Sequence, residues 1–65
     1  MSVNKIRKLR IDKNLEMKEL AKMAKISISY LSLLEKGKRV NPSKKIMENI
    51  SKALEVDIID IFFEE

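Results

Sequence analysis

The chain has 65 residues with a net charge of +4, is 45% hydrophobic and 37% charged, and contains neither cysteine nor histidine. This length predicts a single small domain over residues 1–65. Its core is too thin for a deep catalytic pocket, because a chain of this size buries only about 60% of the surface that it exposes when unfolded. The missing cysteine and histidine exclude disulfide scaffolds, zinc centres and most nucleophilic or acid-base sites, so we expect no enzyme, no metal and no other cofactor.

The charge is unevenly distributed along the chain. Residues 1–45 contain 13 Lys or Arg and 4 Asp or Glu, a net charge of +9, whereas residues 46–65 contain 1 and 6, a net charge of −5. This asymmetry predicts a surface that meets a polyanion and an acidic end that faces away from it. A lysine-rich solvated surface is the alternative explanation.

Apolar residues recur at spacings of three and four, which predicts an all-α protein with five helices. In chain order, the predicted helices extend from about Val3 to Lys13, Met17 to Ala24, Ser27 to Lys36 and Ser43 to Leu54, with a last helix from Asp57. The connections between them are short, so the helices are expected to form a compact bundle.

Several helix ends carry local signals. Asn14 tolerates the left-handed conformation that ends a helix, and Gly37 is predicted to be a left-handed C-cap. Ser27 is the expected N-cap of the third helix, and the segment Asn41-Pro42-Ser43 introduces the fourth. The segment Asp57-Ile58-Ile59-Asp60 resembles a capping box for the fifth helix.

The second and third helices are separated by only a few residues. Lys25 and Ile26 alone lie between Ala24 and Ser27, which is the spacing of a helix-turn-helix unit. On the third helix, Leu31 and Leu34 share the predicted core side. The opposite side contains small, mostly uncharged residues, which suit close approach to a major groove; Ile28 lies on its flank, and its other members are Ser29, Ser32, Leu33 and Lys36. The alternative is that these serines are only solvent-exposed.

Two charged residues lie on predicted core faces. Arg10 lies beside Ile6 and Leu9, and Glu35 lies beside Leu31 and Leu34. A lone buried charge costs several kcal/mol, so we expect Arg10 and Glu35 to form a bidentate ion pair that joins the first and third helices. The alternative is that both side chains reach solvent at the edge of the domain.

The combined pattern resembles the Cro/C1 (XRE) family of helix-turn-helix DNA-binding domains. The residues that carry the resemblance are Leu20-Ala21, Lys25-Ile26-Ser27, Leu31-Ser32, Glu35-Lys36-Gly37, Arg10 upstream and Asn41-Pro42-Ser43 downstream. It extends from Ile6 to Phe62. The segment Ser29 to Ser32 and the spacing to residues 41–43 are also similar to the DNA-binding domain of the Sin-type repressors of spore-forming bacteria, although their dimerising tail is missing.

The resemblance implies a lambda-repressor-like five-helix bundle whose third helix enters the major groove of double-stranded DNA. The positions that match base-facing residues of the family are Ser27, Ile28, Ser29, Ser32, Leu33 and Lys36. The positions that match contacts to the DNA backbone are Met17, Lys18, Lys38, Arg39, Asn41 and Lys44. At Met17 and Lys18, the expected contact uses backbone N–H groups at the start of the second helix.

The sequence departs from the family pattern at several positions. Glu16 and Met17 replace the usual Ser or Thr and Gln, so the second helix is expected to lack a good N-cap. Lys25 occupies the turn position that usually holds glycine, at a cost of about 1 kcal/mol for a left-handed residue with a Cβ. Ile28 and Leu33 replace the usual polar readers, which leaves two explanations: an AT-rich operator read through thymine methyls and shape, which we favour, or a surface that binds protein.

The last helix has an additional apolar pair. Ile58, Ile61 and Phe62 share its predicted core face, whereas Ile59 and Phe63 lie on an adjacent face. We expect a homodimer through this helix, which would place two recognition helices about 34 Å apart on a palindromic site. The alternative is that the pair belongs to a frayed C-terminus.

The sequence therefore predicts a sequence-specific DNA-binding transcriptional regulator, acting as a repressor that occupies an operator. A protein-interaction module, such as an antitoxin-like partner that uses its exposed apolar surfaces, is the alternative function. No apolar run approaches the roughly 20 residues that span a bilayer, and Met1 to Leu20 lacks the apolar core of a secretory signal. We expect a cytoplasmic protein of bacterial or phage origin with no membrane partner and no small-molecule ligand.

Overall fold

A computed structural model describes residues 4–38 and 41–63, and within these ranges it contains five α-helices and no strand. The helices are α1 (Ile6–Asp12), α2 (Met17–Ala24), α3 (Ile28–Lys36), α4 (Lys44–Leu54) and α5 (Ile58–Phe62). The predicted all-α class and the order of five helices are confirmed. Val3, where the first helix was expected to begin, lies outside the described residues.

Asn4 sets the start of α1. Its Oδ1 accepts a hydrogen bond from the Ile6 amide at 3.0 Å, which satisfies one of the unpaired N–H groups of the first turn. Its Nδ2 donates to the Leu34 carbonyl oxygen at 2.8 Å. One side chain therefore caps α1 and attaches it to the last turn of α3, a role that we did not predict.

Four helices end through the same backbone arrangement. Each is followed by a residue in the left-handed conformation, namely Asn14 (φ 58°), Lys25 (φ 61°), Gly37 (φ 70°) and Glu55 (φ 60°). The next amide then donates to a carbonyl five residues earlier, as when Ile26 N donates to Ala21 O at 3.0 Å. These are Schellman motifs, which satisfy carbonyl groups that the helix leaves unpaired.

We expect Lys25→Gly to stabilise the protein by about 1 kcal/mol, because glycine adopts the left-handed conformation without a Cβ penalty. Thermal unfolding would show this as a rise in Tm of about 4–8 °C for a domain of this size. Lys22→Gly is the matched control, since Lys22 is exposed inside α2. Glycine in a helix interior should destabilise by about 0.5–1 kcal/mol. A lower Tm for Lys25→Gly would contradict the argument.

The predicted serine cap of α3 is present, and a second serine caps α4. Ser27 Oγ accepts from the Tyr30 amide at 3.0 Å, and Ser43 Oγ accepts from the Ile46 amide at 3.2 Å. Both serines have extended backbone conformations, as N-cap residues do. The start of α3 is therefore fixed by a contact between residues three positions apart.

The capping box predicted for α5 is absent, and α2 has a capping box that we did not predict. Asp57 is the N-cap residue of α5, but its carboxylate makes no capping hydrogen bond, and the Asp60 amide donates to the Asp57 carbonyl oxygen instead. The exposed Asp57 carboxylate remains accessible to water, which competes for such a contact. Conversely, α2 does have a capping box: the Glu19 carboxylate accepts from the Glu16 amide at 2.7 Å. Glutamate at the third helical position is long enough to reach back to the preceding turn.

The core lies where α2 meets α3 and α4, with α1 packed on α3 and α5 on α4. Its buried residues are Ile6, Leu20, Ala21, Ala24, Leu31, Leu34, Ile50, Leu54 and Ile61. The small side chains of Ala21 and Ala24 permit close approach between helices, as the sequence indicated. Asn49 Nδ2 also donates to the Ala24 carbonyl oxygen at 3.1 Å, which fixes α4 against the end of α2.

Lys13 and Glu55 connect the ends of two helices. Lys13 Nζ lies 2.7 Å from Glu55 Oε1, and this ammonium lowers the pKa of the Glu55 carboxyl group through the hydrogen bond and its charge. Both side chains are exposed, so the pair contributes little to stability.

Candidate nucleic-acid interface

The connection between α2 and α3 is a short turn with a defined geometry. Lys25 adopts the left-handed conformation, Ile26 is half-buried against the core, and Ser27 caps α3. A left-handed residue reverses the chain direction, and the packed Ile26 side chain then holds the turn in place. The two helices therefore form a helix-turn-helix unit, as the spacing predicted.

Helix α3 has a buried side and an exposed side. Leu31 and Leu34 are buried and Tyr30 is half-buried, whereas Ile28 and Leu33 are 51% and 41% exposed. At about 100° per residue, Ile28 and Leu33 lie about 140° apart around the helix axis, and the buried Leu31 and Leu34 lie outside the arc between them. The two apolar residues lie at the edges of this arc, and the residues between them are Ser32, Lys36 and Ser29.

We call this exposed arc the reading face and define it as Ile28, Ser29, Ser32, Leu33 and Lys36. Its members are exposed except Ser32, which is half-buried. The two serines provide hydroxyl groups that both donate and accept hydrogen bonds, and Lys36 provides an ammonium donor. Ser27 lies just before the reading face, where its oxygen caps α3 and its hydroxyl proton remains a donor.

The structure brings Arg10 and Glu35 together across α1 and α3. Arg10 Nε lies 2.7 Å from Glu35 Oε2, and the second guanidinium nitrogen donates to Glu35 Oε1 at 3.2 Å. A third donor of Arg10 binds the Leu15 carbonyl oxygen at 2.9 Å. The side chains are only 11% and 5% exposed, so the two charges do not reach solvent as the alternative required. The Arg10–Glu35 ion pair holds α3 on the side that faces α1 and leaves the reading face exposed.

The start of α2 is a weaker candidate site for a DNA phosphate than the sequence predicted. The Met17 side chain packs against the core, so only its backbone faces outward. Lys18 is exposed, but its ammonium lies 3.6 Å from a Glu16 carboxylate oxygen. The carboxylates of Glu16 and Glu19 both lie at this helix start. Two negative charges oppose a phosphate there, so a backbone contact at residues 17 and 18 stays a prediction.

The segment after α3 carries further polar and basic residues. Lys38, Asn41 and Lys44 are exposed. Arg39, also predicted to contact DNA, lies outside the described residues. With Lys25 in the preceding turn and Lys36 at the end of α3, lysines therefore lie along the chain on both sides of the reading face.

Both members of the predicted apolar pair are exposed, but only Ile59 lies on α5, because the helix ends at Phe62 and Phe63 follows it. Ile59 is 67% exposed and Phe63 is 58% exposed, whereas Ile61 is buried and Phe62 is half-buried. The Lys5 amide donates to the Ile61 carbonyl oxygen at 3.0 Å, which attaches the start of α1 to this helix. The exposed pair is not part of the packing that holds α5 in place.

In residues 4–38 and 41–63, no three acidic side chains converge to form a candidate metal centre. None of the helices in this part of the chain is both long and apolar enough to cross a membrane.

A family model described as helix-turn-helix matches residues 6–61. Among curated relatives, the transcriptional regulator SinR of Bacillus subtilis is 35% identical over 54 residues, which are 83% of this chain and 49% of SinR. SlrR of the same bacterium is 37% identical over 57 residues, 88% of this chain and 38% of SlrR. DdrOP3 of Deinococcus deserti is 35% identical over 57 residues, 88% of this chain and 43% of that regulator. The chain thus spans less than half the length of these relatives.

The fold of this chain is also similar to those of several solved structures. The N-terminal DNA-binding domain of SinR from Bacillus subtilis has a TM-score of 0.78 at 33% identity, covering 94% of this chain and 88% of that one. The SinR/SinI complex has a TM-score of 0.78 at 34% identity, covering 85% and 53%. The regulator ClgR of Corynebacterium glutamicum has a TM-score of 0.77 at 34% identity, covering 85% and 57%.

Proposed function

The chain belongs to the helix-turn-helix family, and from this premise we propose that it binds double-stranded DNA through α3 and regulates transcription as a repressor. It binds by inserting the reading face into the major groove, which is wide enough for one α-helix. Repression follows from occupation of an operator that RNA polymerase also needs. The curated relatives are named as transcriptional regulators rather than enzymes, in agreement with the expected absence of catalysis.

The observation that carries the proposal is the reading face itself. Ser29 and Ser32 have short side chains, so the helix axis can approach the base edges closely. Their hydroxyl groups can form hydrogen bonds with any of the four bases. The buried side of α3 is held by Leu31, Leu34 and the Arg10–Glu35 pair. A helix fixed in this way reaches DNA already oriented, so little conformational entropy is lost on binding.

The surrounding lysines supply the affinity. Lys25, Lys38 and Lys44 are exposed on segments that flank α3, and Lys36 ends it. Each lysine that neutralises a phosphate releases a counterion from DNA, which favours binding without regard to sequence. The reading face then selects among sites, because contacts to base edges carry sequence information.

We expect DNA affinity to fall steeply as salt rises. For three to five phosphate contacts, a plot of log K against log salt should have a slope of about −3 to −5. Fluorescence anisotropy with a labelled 20-base-pair duplex at several salt concentrations measures this slope. The absence of binding at low salt would contradict the proposed function.

We extend the proposal to a homodimer through α5. Ile59 and Phe63 are exposed apolar residues four positions apart. In a two-fold symmetric dimer they would be buried against the same two residues of the second copy. Such pairing would set two recognition helices about 34 Å apart on a palindromic operator. It would also stabilise a domain whose own core is small.

We expect Ile59→Glu to abolish this dimer, because a carboxylate in an apolar interface loses its hydration without a partner. Sedimentation velocity of the parent and the variant over a concentration series measures the masses, with and without a palindromic duplex. Met23→Glu is the matched control, since Met23 is also an exposed apolar residue and lies on α2. A monomeric parent in both conditions would exclude the α5 interface.

A protein-interaction function is the second candidate, and the exposed apolar pairs favour it. One of the similar structures is a complex of SinR with SinI. An antitoxin-like module could use Ile28 and Leu33 or Ile59 and Phe63 to hold another protein. The salt experiment separates the two functions, because a module that binds only protein shows no salt-dependent affinity for DNA.

A further inference from the structure

From the residues of the reading face, we infer that α3 recognises thymine through its 5-methyl group at two places in each half-site, one contacted by Ile28 and one by Leu33. This inference rests on the proposed function and specifies the class of DNA that the reading face selects. The operator half-site is therefore rich in A·T pairs, with thymines at the positions that these two side chains reach.

Helix α3 lacks most of the side chains that form bidentate hydrogen bonds to bases. Over Ile28–Lys36 the helix contains no arginine, asparagine or glutamine. Bidentate recognition of guanine needs arginine or lysine, and bidentate recognition of adenine needs asparagine or glutamine. Lys36, at the last turn, is the one basic residue on this helix. The N-terminal part of α3, which lies deepest in the groove in this class of protein, has only hydroxyl and apolar groups to offer.

The two apolar side chains of the reading face are exposed and well separated. Ile28 and Leu33 are 51% and 41% exposed, so neither is needed in the core. They lie at opposite edges of the reading face, about 140° apart around the helix axis. They are separated by about 7.5 Å along the axis, which corresponds to about two base-pair steps of 3.4 Å. This geometry fits one methyl contact at each edge of the reading face, with Ser29 and Ser32 between the two contacts.

The positive charge around α3 favours DNA rather than protein as the occupant of the reading face. The turn before α3 contains Lys25, and its last turn and the following segment contain Lys36 and Lys38. Lysine is depleted at the centres of protein interfaces and favoured around phosphate. The apolar side chains on this face are therefore placed for a polyanion that also presents methyl groups. Thymine is the base of DNA with a methyl group in the major groove.

The experiment begins with selection from a randomised 20-base-pair duplex library, using the parent chain at moderate salt. The best selected duplex is then synthesised with single deoxythymidine to deoxyuridine replacements, which remove only the 5-methyl group. At two positions per half-site, we expect each replacement to weaken binding by about threefold to fivefold, the value of one buried methyl group. The other thymines should show no change.

Variants connect each methyl group to one side chain. In Ile28→Ala the deoxyuridine effect should disappear at one position and persist at the other, and Leu33→Ala should show the reverse pattern. Both variants should keep the parent salt slope on a random duplex. Met23→Ala is the matched control, because Met23 is 48% exposed on α2, and it should keep both deoxyuridine effects.

The outcomes separate this inference from the proposed function. A selected motif that binds equally well with deoxyuridine at every position overturns the methyl contacts and leaves DNA binding intact. A selected motif with guanine in place of thymine at the conserved positions of each half-site also overturns the methyl contacts and leaves DNA binding intact. If no duplex is enriched and no salt-dependent binding is seen, the proposed function fails and the inference fails with it.

Discussion

Arg10→Met is expected to lower the free energy of unfolding by about 3–5 kcal/mol, and Glu35→Leu by a similar amount, while the double variant loses much less than their sum. Each single change leaves one charge buried with no counter-charge, since the two side chains are 11% and 5% exposed. The double change removes both charges and leaves apolar side chains of similar size. The Leu15 carbonyl oxygen loses its donor only in the two variants that replace Arg10, the single Arg10→Met and the double variant.

Urea unfolding followed by circular dichroism measures the four free energies of this cycle. A domain of this size is stable by only about 3–10 kcal/mol, so the cycle is best made in the Lys25→Gly background. Arg10→Lys keeps the charge but loses the two-pronged geometry, and we expect it to be less harmful than Arg10→Met.

The matched control is the exposed pair of Lys8 and Asp12, whose charged atoms lie 3.2 Å apart. The cycle of Lys8→Met and Asp12→Leu should give a coupling energy below about 0.5 kcal/mol, because water screens both charges. If the Arg10–Glu35 cycle gives an equally small coupling energy, the ion pair between α1 and α3 does not stabilise the fold.

Lys36→Glu is expected to reduce affinity for a selected operator by about 100-fold or more. The variant removes an ammonium at the end of the reading face and puts a carboxylate there, and like charges brought together at an interface cost several kcal/mol. Because Lys36 is exposed, the fold should survive, and the unfolding temperature should change little. Anisotropy titration on the selected duplex measures the loss.

Lys52→Glu is the matched control for this charge reversal. Lys52 is an exposed lysine in the last turn of a helix, as Lys36 is, but it belongs to α4 and borders a shallow depression formed with Met23, Asn49 and Ala53. The change in net charge is the same in both variants, so a general electrostatic effect would weaken both equally. A loss with Lys52→Glu as large as that with Lys36→Glu would argue against α3 as the DNA-reading helix.

The helix caps depend on contacts between residues that are close in the chain. Ser27 and Ser43 were predictable as caps because each accepts from an amide three residues ahead. The capping box at Glu16 and Glu19 has the same local character. It was missed because glutamate is an uncommon N-cap, although the Glu19 at the third helical position was the available signal.

The reading face was also predictable, because its members share one side of a helix whose other side is apolar. Periodicity separates Leu31 and Leu34 from Ser29 and Leu33 before any tertiary contact is known. The DNA contacts of these residues stay a prediction.

The sequence by itself determined the class, the order of the helices, the helix-turn-helix spacing and the left-handed positions at Asn14, Lys25 and Gly37. Tertiary structure alone decided how the helix ends are joined. Asn4 binds the Leu34 carbonyl oxygen, Asn49 binds the Ala24 carbonyl oxygen, and Lys13 pairs with Glu55. The reason is distance along the chain: caps and periodicity depend on neighbours within one or two turns, whereas these partners are 25 to 42 residues apart and meet only after the helices have packed.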